Sequence, residues 1–194
     1  REEFIKDTVA TWLEGAPRGI VVLEWQPDDQ KLLRRLYDVK LDFMSRYIVA
    51  GSGFTRQFVD SFGKLGPFDK VESEFVSWAQ GGGLAVPDGS VDAAVCTGEA
   101  REALGEDGLD EVVRETGRAL RPNGQLILFQ RLGSAMPPST AELFDERDIK
   151  LFSGDSETTL EAIRLVRRVA QAPQTQAARR VRRRRRRKPI EGSE

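Results

Sequence analysis

The segment Leu84-Ala-Val-Pro-Asp-Gly-Ser-Val-Asp-Ala-Ala-Val-Cys-Thr97 constrains the fold of this chain more than any other. An apolar approach reaches a Pro-Asp-Gly turn, and a short apolar strand then starts close to Asp92. Proline presets one turn dihedral and glycine accepts the conformation that follows, so the chain changes direction here. Downstream, Leu109, Val112, Val113 and Leu120 recur at helical spacing, Arg121-Pro-Asn-Gly124 breaks the helix, and Gln125 to Arg131 reads as a buried strand. Buried strand, amphipathic helix and buried strand form the unit from which parallel sheets are built.

The same alternation runs upstream. Phe4, Ile5, Val9, Trp12 and Leu13 predict a first helix over Glu2 to Glu14, and Gly19 to Trp25 predicts a buried strand. Asp28 or Asp29 caps a helix reaching about Leu41, with Leu32, Leu33, Leu36 and Tyr37 as its core stripe. Tyr47 to Ala50 is a second strand, Phe54 to Phe62 a third helix and Val71 to Trp78 a third strand, with Gly81-Gly-Gly83 as a break after it. Ile149 to Ser153 and Thr158 to Arg167 read as a hairpin-like pair around Gly154-Asp155. The expected class is α/β: a doubly wound, mostly parallel sheet with an antiparallel C-terminal hairpin. It occupies residues 1–170.

Composition narrows the chemistry. There is no histidine, which removes the commonest general base near neutral pH, and a single cysteine, Cys96, leaves no cysteine cluster for a metal. No apolar run approaches the roughly 18 residues that span a bilayer. The net charge of −1 conceals an asymmetry, because Arg179, Arg180, Arg182, Arg183, Arg184, Arg185, Arg186, Arg187 and Lys188 are packed into ten positions. Residues 1–178 carry 21 basic against 29 acidic side chains, a net of −8. From Gln171 to Glu194 no apolar face exists, so a mobile Arg-rich tail is expected, suited to phosphates or another acidic surface. The first residue is Arg1, which suits a chain that has lost a targeting segment and works in the cytosol or an organelle interior such as matrix or stroma.

The Pro-Asp-Gly-Ser-x-Asp stretch, the helix after it and Arg-Pro-Asn-Gly together resemble the second half of a class I S-adenosylmethionine-dependent methyltransferase of the small-molecule type. The resemblance covers about residues 15–168 and implies the seven-stranded, Rossmann-like methyltransferase sheet. It also implies a glycine-rich loop after the first strand, reading roughly Val-Leu-Glu-x-Gly-x-Gly-x-Gly. Here the aligned stretch keeps Val22-Leu23-Glu24 and continues Trp25-Gln26-Pro27-Asp28-Asp29-Gln30, without a glycine. Trp25 and Pro27 add bulk where a cofactor passes close to the backbone, and the acidic pair at Asp28 and Asp29 repels a cofactor carboxylate. Gly51 falls where the family places an acid for the ribose hydroxyls, and Trp78 or Ala79 where an acid lies near the adenine.

The cofactor-binding positions Glu24, Trp25, Gln26, Pro27, Asp28, Gly51 and Trp78 are therefore expected to be degenerate, with Trp25 and Trp78 filling the emptied cavity. Glu99 and Glu102 stand where a family base can sit, and read equally well as a solvated helix start. Three functions follow. The first is a non-catalytic methyltransferase-like structural or accessory subunit of a larger assembly. It needs no cofactor and binds other protein subunits, with its tail on an acidic partner or RNA. The second is an active enzyme with an atypical loop and S-adenosylmethionine as cofactor. The third is a nucleic-acid-binding module acting through the tail.

Overall fold

The computed structural model describes residues 1–16, 18–39, 44–63, 71–153 and 159–169; the Arg-rich run lies outside them. The elements follow the order α1 (Glu2–Leu13), β1 (Ile20–Trp25), α2 (Lys31–Val39), β2 (Met44–Gly51), α3 (Arg56–Gly63), β3 (Glu72–Ser77), β4 (Val91–Cys96), α4 (Gly98–Ala119), β5 (Leu120–Arg131), α5 (Pro138–Leu143), β6 (Phe144–Ser153) and β7 (Thr159–Arg167). Seven strands form one sheet in the order β3-β2-β1-β4-β5-β7-β6. Strands β1 to β5 pair in parallel, whereas β7 runs antiparallel to both β5 and β6.

The β1 residues Val22, Leu23, Glu24 and Trp25 are all buried, as a strand covered on both faces requires. One face carries α1, α2 and α3, whose Val9, Leu13, Leu33, Leu36 and Phe62 pack against Val22, Tyr47 and Phe129. The other carries α4, whose Leu109, Val112 and Val113 pack with Trp25, Trp78 and Leu128. Asp92 is structural: its carboxylate accepts the Val21 N–H at 2.8 Å and pairs with Arg121 at 2.9 Å, joining the N-terminal ends of β1, β4 and β5.

Several boundaries differ from expectation for identifiable reasons. Helix α4 begins at Gly98 rather than Leu109, capped by Thr97, and kinks at Gly105 (φ 69°, ψ −179°). The Arg121-Pro-Asn-Gly124 break is an irregularity within β5, with Asn123 left-handed (φ 65°) and the register to β4 shifting there. Helix α5, introduced by Pro137 and Pro138, was not expected, and β6 starts at Phe144 rather than Ile149. Of the two residues expected to cap α2, Asp29 accepts the Lys31 N–H at 2.8 Å, as expected.

Candidate cofactor cleft

In an open α/β sheet, ligands settle where successive crossovers depart in opposite directions, outside the carboxyl ends of the strands. In this sheet that point lies between β1 and β4. A cleft of about 270 Å3 opens there, lined by Ile5, Glu24, Pro27, Asp28, Asp29 and Thr97 among others. This is slightly below the roughly 300–1,000 Å3 of ordinary ligand pockets. Its mouth is bridged: the Lys31 ammonium meets Glu2 at 2.7 Å and Asp29 at 2.8 Å, tying the first turn of α1 to the start of α2.

The loop after β1 is organised by Gln26. This residue holds φ at +44°, a conformation that side chains rarely adopt and glycine adopts freely. Its backbone N–H donates to the Ala50 carbonyl at 2.7 Å. Its side-chain oxygen accepts the Ser52 N–H at 2.9 Å, and its amide nitrogen donates to the Ser52 carbonyl at 3.2 Å. The amide thereby lies directly over Gly51, where a Cβ would stand 2.4 Å from Gln26 Oε1 and 3.0 Å from Phe54 Cζ. A side chain at 51 would displace the Gln26 amide from Ser52.

Glu24 and Trp25 point to opposite faces. The Glu24 carboxylate accepts a hydrogen bond from the Tyr47 hydroxyl inside the α1–α2 layer. Burial pushes the Glu24 carboxyl up to about 8, opposed by the Tyr47 hydrogen bond and reinforced by the negative charges of Asp29 and Asp28. Trp25 and Trp78 meet edge to face at 5.4 Å on the α4 side, 0% and 4% exposed. The Trp25 indole N–H donates to Thr116 Oγ1 at 2.8 Å, whereas Trp78 Nε1 has no partner among the described residues. Burying two indoles, each about 150–250 Å2, contributes roughly 4–6 kcal/mol apiece before entropy. That outweighs the about 1–3 kcal/mol of one orphaned donor.

The segment between β3 and β4 is latched to α4. Glu111 accepts the Gly81 N–H at 2.8 Å, Glu115 accepts the Leu84 N–H at 2.8 Å, and the Arg118 guanidinium donates to the Leu84 and Val86 carbonyls at 2.7 and 2.8 Å. The cofactor-position residues named from the sequence thus lie at the carboxyl ends of β1, β2 and β3, but in two layers. Glu102 pairs with Arg131 at the surface, and Cys96 is a core residue whose thiol burial pushes up to about 12. Tyr47, Ser52, Thr116 and Arg118 were not singled out from the sequence. Alternation alone could have found Tyr47, since Val22, which pairs with it, lies two residues from Glu24 on the same face.

No protein-family profile matches the chain, and no curated protein matches it by sequence. Solved structures do match. The N-methyltransferase NodS from Bradyrhizobium japonicum, in complex with S-adenosyl-L-homocysteine, superimposes with a TM-score of 0.62 at 12% identity, covering 86% of each chain. A methyltransferase described as putative, from Bacillus halodurans, gives 0.59 at 8% identity over 84% of this chain and 98% of its own. A type 11 methyltransferase, likewise so described, from Sulfolobus solfataricus gives 0.55 at 16% identity over 90% and 96%. The fold is that of the class I methyltransferases. The methyltransferase-like domain shares with these structures its architecture, and at such identities nothing finer.

Proposed function

We propose that this methyltransferase-like domain does not use S-adenosylmethionine and serves as a non-catalytic structural or accessory subunit of a larger assembly. The observation that carries the reading is the Gln26 amide, hydrogen-bonded twice to Ser52 over Gly51. It occupies the end of β2, where the fold otherwise positions an acid for ribose hydroxyls. Trp25 and Trp78 fill the α4 side. Other protein subunits cover the domain in this reading, and the Arg179–Lys188 run engages RNA or another polyanion. Isothermal titration of the intact protein with S-adenosylmethionine should give no heat of binding. Saturable binding at micromolar concentration would overturn the reading in favour of an active enzyme.

A further inference from the structure

The two outer strands of the sheet differ in how they are guarded. Strand β3 is six residues long and carries Glu72 and Glu74, so a copy of itself laid alongside is repelled. Strand β6 is ten residues long and contains no proline; its one described strand partner is β7, and past a bulge between Glu146 and Asp148 it runs regularly to Ser153. Before the bulge Phe144 packs on the α4 side; beyond it the even-numbered residues face α1, where Lys150 lies over the Trp12 ring at 5.1 Å and Phe152 stacks on Phe4 at 5.2 Å. The odd-numbered Ile149 and Leu151 lie on the opposite face, 49% and 58% exposed. A long edge strand with an uncovered apolar pair is a template for another strand unless something occupies it.

The sequence of this edge fits a second copy of itself. We propose that β6 pairs antiparallel with β6 of an identical chain about a two-fold axis at Ile149, joining two sheets into one of fourteen strands. In that register Asp148 faces Lys150 of the second copy, and Lys150 faces its Asp148, so both charged positions meet their opposites. Ile149 meets itself, and the Leu151 side chains lie near it on the same face. Shifting the register by two residues would set Lys150 against Lys150, which disfavours the alternative. Asp148 already pairs with Arg164 at 3.1 Å, yet its side chain stays 50% exposed and can accept a second cation. The pairing is isologous and closes as a dimer rather than growing into a fibre. It does not depend on the cofactor reading.

Light scattering after size exclusion of the intact chain should give twice the 21.7 kDa monomer mass. Lys150→Asp places like charges opposite one another at both ends of the contact and should weaken the dimer by about tenfold or more. Ile149→Lys, a change at a solvent-exposed position, should give a monomer with an unaltered circular dichroism spectrum. A wild-type monomer at all accessible concentrations would overturn the proposal. So would a dimer that Lys150→Asp and Ile149→Lys leave intact.

Discussion

The contact between Gln26 and Gly51 can be tested as a coupled pair. Replacing Gly51 by alanine puts a Cβ 2.4 Å from Gln26 Oε1. The side chain is flexible enough to leave, but leaving abandons both hydrogen bonds to Ser52. At about 0.5–1.5 kcal/mol for each bond, the loss is roughly 1–3 kcal/mol. About 0.4–1 kcal/mol returns from the stiffer unfolded chain. Gly51→Ala should therefore destabilise by about 1–2 kcal/mol. Gln26→Gly also loses the two bonds but relieves the left-handed backbone, which costs a side chain about 1–2 kcal/mol, so its net effect should be small. In the double variant alanine at 51 meets no obstacle from residue 26, and Phe54 Cζ at 3.0 Å is the remaining neighbour. A double-mutant cycle from urea denaturation followed by circular dichroism should give a coupling of about 1–2 kcal/mol. Additive effects within about 0.5 kcal/mol would show that the amide does not occupy that space and would refute the reasoning.

The buried Glu24 carboxyl sets a pH dependence. Its folded value of about 8 lies above the ordinary 4.5, so the native state holds a proton that the unfolded state has lost. Stability should therefore fall as pH rises from about 4.5 to about 8 and level off above, and Glu24→Gln should flatten that slope in melts across the interval. Arg118→Ala removes the donors to Leu84 and Val86 together with the pairs to Asp88 and Glu115. It should cost about 2–3 kcal/mol and raise amide exchange over residues 78–90, detectable by mass spectrometry. Retention on RNA should fall with salt at a logarithmic slope of roughly −6 to −8 if all nine basic residues of 179–188 meet phosphates. Truncation after Ala178 should abolish that retention.

Most of the sheet was legible because parallel strands covered on both faces must be apolar throughout. Val22 and Leu23 in β1 and Ile127 and Leu128 in β5 announce themselves in this way. Short or interrupted elements were not. Helix α5 has six residues, too few for a helical period to repeat, and Gly105 conceals the first turns of α4 by breaking their pattern with Leu109. At the site, the absence of glycine from Trp25 to Gln30 could be read directly. What the loop does instead could not, because the Gln26–Ser52 contact joins residues 26 positions apart through a backbone angle that no sequence pattern encodes.

The contact between residues 26 and 51 also ranks the order in which substitutions at the two positions are tolerated. With glutamine at 26, a side chain at 51 must first displace the amide from Ser52, at about 1–3 kcal/mol for two hydrogen bonds. With glycine at 26, an acid at 51 is unobstructed by that side chain. Changing residue 51 first passes through a variant about 1–2 kcal/mol less stable, whereas changing residue 26 first costs little, so the two orders are unequal. The amide over Gly51 makes the side chain tolerated at 51 depend on what residue 26 already is.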